Sequence, residues 1–263
     1  MAAAKPEPVS GERELNKATV RVLQVLSSFA SDVDGYGVTE LANALGMTKN
    51  MTYRALTTLV EQGYVVRARE GTRYQLGYRV LELQNPLLVE PDFRALAAPY
   101  VRRIQALTDE SVAIVVRAGD HCVLIEGVET RKHGVWRVRV GTLFALWGPA
   151  SGRVMLAHDG DAAIEDYIAR HDADAAEVRT QIAQIRARGY ARVVRATPPQ
   201  MVSIAFPVLD IDGRLHGSLS VGGPRERFEA QLERQMPEIE EIVADLNRRS
   251  RLFPADVAGS ELN

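Results

Sequence analysis

Cysteine occurs once in the 263 residues, at Cys122. A lone thiol excludes an internal disulfide framework and fits a reducing cytoplasm; inside an apolar stretch it reads as buried rather than reactive. No apolar run approaches the roughly 20 residues that a membrane-spanning helix needs, which argues against a membrane protein. Charge of one sign is not in excess either. With a net charge of -2 and a pI of 6.2, any affinity for nucleic acid must come from a local patch and not from the whole molecule.

The common catalytic and metal signatures are also missing. His121, His133, His158, His171 and His216 are scattered, with no two at the helical spacing that holds zinc. His158-Asp159-Gly160-Asp161 and Asp210-Ile211-Asp212-Gly213 lack the closing Glu of a calcium loop and read as turns. Ser151, in GPASG, lacks the G-x-S-x-G spacing of a nucleophile elbow, with no His and acid nearby in sequence. Gly222-Gly223-Pro224 does not open a phosphate-binding helix. The expectation is a protein with no catalytic residue, no metal and no cofactor.

At 46% hydrophobic, the chain is long enough for two domains with their own cores. Residues 1 to 14 and 254 to 263 read as disordered tails. From 38 to 76, VTELANALGMTKNMTYRALTTLVEQGYVVRAREGTRYQL reads as two short helices joined by a tight turn, then a small β-hairpin. Thr39 is placed to cap the first helix, with Leu41, Ala42 and Leu45 inward and Gly46 as its left-handed end. Thr48 caps the second, where Met51, Ala55, Leu56, Leu59 and Val60 form the inward stripe and Gly63 the stop. That leaves Lys49, Asn50, Thr52, Tyr53, Arg54, Thr57 and Thr58 outward, residue types that hydrogen-bond bases and phosphates. The hairpin adds Arg67, Arg69 and Arg73.

A preceding helix over 15 to 30, with Leu15, Ala18, Val22, Val25, Leu26 and Phe29 in register, would close a small core. Residues 15 to 77 thus read as a winged helix-turn-helix, which sets its second helix in a major groove of double-stranded DNA and its basic wing on the backbone. Taken alone, two helices with Gly at the joint are as well explained by plain αα-hairpin packing. Charge distribution favours DNA. Asp32 and Asp34 precede the motif, whereas the recognition helix and wing hold most of the Lys and Arg.

Tyr78 to Leu83 continues as a short helix until Asn85-Pro86 breaks it, so 78 to 90 reads as a helical linker. The second domain, 91 to 253, opens with a helix whose stripe is Leu96, Tyr100, Ile104 and Leu107. Strands are expected at Ser111 to Ala118, Cys122 to Val128 and Val135 to Val140, the first two turning at Gly119-Asp120. Helices follow at about 150 to 158, 161 to 170 and 175 to 188, strands at about 190 to 195, 202 to 209 and 215 to 222, and a closing helix from about 226 to 250. Antiparallel strands grouped around a block of helices make the fold class α+β.

Five segments in order, GVTELANALGMTKNMTYRALTTLVEQGYV, YQLGYRVLEL, PASGRVMLA, IRARGY and VSIAFPVLDIDGRLHGSLSVGGP, resemble the IclR-type bacterial transcriptional regulators over roughly residues 15 to 250. Three places depart from the family pattern. Asn50-Met51-Thr52 stands where a Ser-Thr-Val run is usual, Arg153 where Lys is usual, and Thr197-Pro198-Pro199-Gln200 where the stretch is more acidic.

The resemblance implies that the second domain is a GAF-like antiparallel-sheet effector-binding domain, with its pocket between the sheet and the ASG turn. The matching positions are Leu143, Leu146, Trp147, Ala150, Ser151, Met201, Ser203 and Ser220. Their apolar surface with a few hydroxyls suits a small organic acid, aromatic or short-chain, of a catabolic pathway. Arg137, Arg139, Arg153 and Arg195 are each able to pair with its carboxylate. A plainer reading has Ser203 and Ser220 bonding neighbouring backbone and Trp147 in the core. DNA contacts are expected from Thr39, Thr48, Lys49, Asn50, Thr52, Tyr53, Arg54, Thr57, Arg67, Arg69 and Arg73. The expected protein is a cytoplasmic, ligand-responsive regulator that binds a near-palindromic operator as a homodimer or dimer of dimers. The alternative is a catabolic enzyme, or a small-molecule sensor whose helical domain mediates protein contacts; duplex binding at several salt concentrations separates these.

Overall fold

A computed structural model describes residues 16–30, 34–68, 71–83, 93–132, 137–195 and 200–250, and the chain divides into two units, Met1–Val89 and Glu90–Asn263. In the first unit, α1 (Lys17–Ser28) starts where the Asn16 side chain accepts the N–H groups of Ala18 and Thr19. Leu15, expected in that helix, lies outside the described residues. α2 (Val38–Ala44) begins one residue before the expected Thr39 cap, because the N-cap is Gly37 and its N–H is accepted by the Glu40 carboxylate at 3.3 Å. Gly46, at φ +62°, supplies the left-handed turn that follows. α3 (Lys49–Glu61) is capped as expected, the Thr48 hydroxyl accepting the Met51 N–H at 3.3 Å.

A short strand the sequence did not announce, β1 (Tyr36–Gly37), joins β2 (Val65–Arg67) and β3 (Arg73–Leu76) in an antiparallel sheet of order β1-β3-β2. Val25, Phe29, Leu41, Ala55, Leu56, Leu59, Val65 and Tyr74 form the core beneath. Past the wing, Val80, Leu81 and Glu82 donate to the carbonyls of Gly77, Tyr78 and Arg79, and residues 80–83 are helical, within the short helix expected over 78 to 83. The Asn85-Pro86 break lies outside the described residues.

The second unit is built on a six-stranded antiparallel sheet of order β6-β5-β4-β9-β8-β7. Its elements run α4 (Phe93–Thr108), β4 (Ser111–Ala118), β5 (His121–Val128), β6 (Leu143–Ala145), α5 (Ala150–Ala157), α6 (Asp161–His171), α7 (Ala175–Arg188), β7 (Ala191–Val194), β8 (Met201–Leu209), β9 (Leu215–Pro224) and α8 (Arg225–Ser250). Strand alternation divides the core. Val112, Ile114, Val202, Ile204, Phe206, Val208, Leu219 and Val221 face α4 and α8, whereas Ala113, Val115, Cys122, Leu124, Ala191 and Ala205 face α5, α6 and α7.

One expected strand is displaced. Residues 137–142 carry no strand, and the edge is made instead by Leu143–Ala145 paired with His121–Val123. Val138 packs across the face of β5, over Gly127, where an added Cβ would come within 2.5 Å of its Cγ1. Gly141, at φ +87°, then turns the chain onto the β5 edge. The described part of the alternating pattern, 137–140, therefore reflects contact with a sheet face rather than membership of the ladder, and residues 135 and 136 lie outside the described residues.

Candidate DNA interface and effector site

α3 presents Lys49, Asn50, Tyr53, Arg54, Thr57 and Thr58 to solvent. Thr57 and Thr58 donate their hydroxyls to the carbonyls of Tyr53 and Arg54, at 2.9 and 3.1 Å, so towards a ligand they act as acceptors. Thr52 is a correction. It is fully buried and its hydroxyl donates to the Thr48 carbonyl at 3.1 Å, because it lies one turn beyond the cap on the face that packs inward. Thr39 is exposed on α2, and Thr48 is occupied as the α3 cap.

The three wing arginines have different places. Arg67 is exposed, with its guanidinium over the Tyr74 ring at 5.5 Å, and the Tyr74 hydroxyl raises its pKa above the usual arginine value. Arg69 lies outside the described residues. Arg73 is held within the domain: Nε donates to the Asp34 carbonyl at 3.3 Å, Nη2 donates to the Gly35 carbonyl, and Glu40 pairs with it at 3.3 Å. Arg73 therefore joins the wing to the start of α2. Arg73→Ala should lower the stability of the first unit by about 1 kcal/mol, as for a partly exposed pair with backbone bonds. Arg67→Ala should instead reduce the slope of log affinity against log salt by about one, equally for any duplex. Titrations of both variants at several salt concentrations check the contrast; equal slopes would refute it.

In the second unit, the residues expected to line a pocket gather on the α5 side of the sheet, with one exception. Ser220 pairs in register with Ala113 and Ala205, which lie in the core on that side, and Ser203 and Met201 follow by alternation along β8. Leu146 and Ala150 are fully buried, Ser151 is 2% exposed, and Trp147 is half-buried beside them. Leu143 departs from expectation. It pairs with Val123, whose neighbours Cys122 and Leu124 take the α5 side, so Leu143 projects from the other face and is 58% exposed.

Ser220 does what strand serines commonly do, donating to the Ile204 carbonyl at 3.1 Å. Ser218, absent from the sequence reading, lies two residues earlier on the same face, and its buried Oγ has no hydrogen-bond partner among the described residues. Period-two alternation from Ser220 was the signal that would have found it. Gly152 lets α5 close on the turn before it: a Cβ there would lie 1.8 Å from the Leu146 carbonyl oxygen. Arg153 does not reach for a ligand. Its Nε donates to the Trp147 carbonyl at 3.0 Å, Nη1 donates to Gln181, and the guanidinium covers the indole at 4.7 Å, with burial lowering its pKa. Arg137 pairs with Glu129 at 3.4 Å, while Arg139 and Arg195 are exposed.

Pro149 is the N-cap of α5, with no side-chain cap and no acid in the first turn. The N–H groups of that turn have no intrahelical acceptor and leave partial positive charge at the helix start. The turn is supported from the β4–β5 connection, where the Asp120 carbonyl accepts the Leu146 N–H at 3.1 Å. Asp120 is itself fastened to the end of α6 by Arg170 and by His171 Nε2 at 3.2 Å. The Arg170 hydrogen bond, followed by that of His171, holds the Asp120 carboxyl at about 2 against an ordinary 3.8, with burial opposing. A depressed acid stabilises the fold above its unfolded pKa, and that contribution is lost as pH falls from 3.8 to about 2. Urea midpoints at pH about 5 and about 2.5 should show this loss in the natural protein and a smaller one in Asp120→Asn. Equal losses in the two proteins would exclude the linkage. Cys122 is buried, and burial pushes its thiol up to about 11, so it stays protonated and unreactive.

A capped recognition helix beside a short wing, and a helix-covered antiparallel sheet with an open helix start among small residues, define a DNA-binding regulator with a second, ligand-type domain. The comparisons agree. Residues 18–69 match the IclR helix-turn-helix domain and residues 87–248 the C-terminal domain of bacterial transcriptional regulator IclR. The chain belongs to the IclR family of transcriptional regulators.

It is 26% identical over 241 residues to the HTH-type transcriptional regulator BhcR of Paracoccus denitrificans, covering 88% of this chain and 86% of that protein. With the glycerol operon regulatory protein of Streptomyces coelicolor it shares 28% identity, over 87% of this chain and 92% of that one. Among solved structures, an IclR homologue of Microbacterium hydrocarbonoxydans complexed with 4-hydroxybenzoate aligns with a TM-score of 0.69 at 20% identity, over 89% of this chain and 100% of that chain. No helix of the described residues is long and apolar enough to cross a membrane, and these residues hold no cluster of metal-binding side chains.

Proposed function

We propose that this regulator reads its operator with the outward face of α3, and that a small organic acid bound on the α5 side of the sheet changes its affinity for that operator. The observation that carries the ligand half is the start of α5, which has no side-chain cap and no acid in its first turn, so that the partial positive charge of the helix start lies beside Ser151, which is almost fully buried. A carboxylate suits such a place. Leu146, Trp147 and Met201 supply apolar surface for the rest of the molecule, and Ser203 and Ser218 supply hydroxyls. The complex of the Microbacterium homologue with 4-hydroxybenzoate makes aromatic acids the first to try, followed by short-chain ones. The site acts by binding, and the acid should be recovered unchanged.

At about 100 times its dissociation constant, a bound acid should stabilise the folded chain by about 2.7 kcal/mol, read as a thermal shift. Ser151→Val and Trp147→Ala should each weaken that binding; an unchanged dissociation constant in both would place the acid elsewhere. On DNA, Arg54→Ala or Asn50→Ala should cost about 1 to 3 kcal/mol on a specific site and broaden the preferred sequence. Equal loss on specific and random duplex would refute base reading by these side chains.

The proposed assembly is a homodimer or dimer of dimers on a near-palindromic site. One winged domain alone buries too little DNA to discriminate a genomic site well. Val20, Leu23, Gln24, Ser27, Ser28 and Leu45 line an apolar groove on the first unit, with Leu23 55% exposed, and Tyr78, Leu81 and Leu83 are exposed after the wing. Light scattering at micromolar concentration should give at least twice the mass of the chain, and Leu23→Glu should lower it. A monomer both alone and with DNA would rule this assembly out.

A further inference from the structure

The first turn of α4 is fastened to two strands at once. Phe93, its first residue, stacks on His216 of β9 with centroids 5.2 Å apart and planes within 11°. Beside it, Gly217 leaves a notch: a Cβ at that position would lie 2.8 Å from Phe93 Cε1 and 2.7 Å from the Val115 carbonyl oxygen. Arg94, the next residue of α4, directs Nε at β5, donating to the Ile125 carbonyl at 3.1 Å and pairing with Glu126 at 3.0 Å. Glu126 is in turn fixed by its other oxygen, which accepts the Gly127 N–H at 3.1 Å. Stacking, a steric notch and a charge-assisted hydrogen bond to a part-buried carboxylate therefore converge on two residues.

Alternation decides what lies behind this attachment. Gly217 faces α4, and the residues next along β9 on the other face are Ser218 and Ser220; on β5, Glu126 meets α4 while Gly127 packs under Val138 on the α5 side. The strands that hold the α4 turn are thus the strands whose reverse faces border the proposed acid site. α4 is also the first element among the described residues of the second unit.

We propose that Phe93 and Arg94 form the output contact of the effector domain: ligand occupancy shifts β5 and β9, and these two residues pass the shift to the start of α4 and so to the DNA-binding unit. The inference rests on the acid-binding reading given above. Arg94 and Glu126 act as positioning residues and touch neither ligand nor DNA.

The test uses the full chain with Arg94→Gln, Glu126→Gln, and the exchanged pair Arg94→Glu with Glu126→Arg. In the first arm, with no ligand present, backbone amide exchange should quicken in each single variant at residues 93–97, in β5 and in β9, leave β7 unchanged, and recover in the exchanged pair. Unaltered exchange in β5 and β9 would overturn the proposal. In the second arm, 4-hydroxybenzoate and a duplex selected from a random pool by the natural protein are titrated singly and together. Each single variant should keep both separate affinities within about three-fold while the factor by which one ligand changes the other falls towards one, and the exchanged pair should restore it. Coupling that survives in the single variants, or that falls only in step with acid affinity, would also overturn it. Failure of 4-hydroxybenzoate to bind the natural protein would count against the acid reading alone, and the exchange arm would then decide the attachment by itself.

Discussion

Arg227→Ala should destabilise the second unit by about 3 to 5 kcal/mol, the largest loss expected from any single truncation of a charged side chain here. Glu110 is fully buried, and both of its oxygens accept from Arg227, Oε1 from Nε at 2.6 Å and Oε2 from Nη2 at 2.9 Å. Gly223 packs against the same carboxylate, so closely that a Cβ would lie 2.4 Å from Oε2. Glu110 correspondingly raises the Arg227 pKa above the usual arginine value. Without the guanidinium, a carboxylate remains where water cannot reach it, and the start of α8 loses its tie to the start of β4. Replacing both members, as Glu110→Gln with Arg227→Met, should recover much of the loss, because no buried charge is then left alone. Chemical unfolding followed by tryptophan fluorescence checks this, since Trp136 and Trp147 both lie in the second unit. A loss under about 1 kcal/mol for Arg227→Ala would show that the pair contributes little.

Gly152→Ala should disable acid binding and destabilise the same unit by about 1 to 3 kcal/mol or more, with the winged domain unaffected. The atoms met by the new methyl are backbone: the Leu146 oxygen at 1.8 Å, its carbonyl carbon at 2.7 Å and its Cα at 3.0 Å. No rotamer change relieves a collision with backbone. Either α5 lifts from the turn or the turn moves, and Leu146 is anchored to the Asp120 carbonyl. Both responses separate Ala150 and Ser151 from Trp147. The expected result is loss of the thermal shift given by whichever carboxylate the natural protein is found to bind, with non-specific duplex binding and its salt slope retained. A variant of natural stability and natural acid affinity would exclude the close approach described for Gly152.

Much of the fold was legible because local chemistry and period agree along most of the chain. Thr48, the inward Ala55, Leu56 and Leu59, and Gly46 each specify local geometry whatever surrounds them, and the α3 cap formed as read. The strands of the second unit were read from alternating or continuous apolar runs between Gly and Asp turns, and five of the six lie within a few residues of expectation. The sixth was misplaced for a physical reason. Alternation marks one buried face, and packing of Val138 across Gly127 buries one as well as a place in a ladder does.

The winged helix-turn-helix, the α+β second domain and the family were determined by the sequence alone, because capping, period and an ordered set of motifs are properties of short stretches. Tertiary structure decided which polar side chains remain free to act. Thr52 looked outward by its hydroxyl but lies on the face of α3 that packs inward, where the hydroxyl is satisfied by the carbonyl of the cap residue Thr48. Arg73 looked like a phosphate contact, yet the carbonyls of Asp34 and Gly35, 39 and 38 residues away along the chain, already hold it. Leu143 looked like a pocket wall, and pairing with Val123 turned it to the other face of the sheet. Packing decides the face of Thr52 and partners distant along the chain decide Arg73 and Leu143, and a residue's type carries no record of whether its hydrogen bonds or its face are already taken.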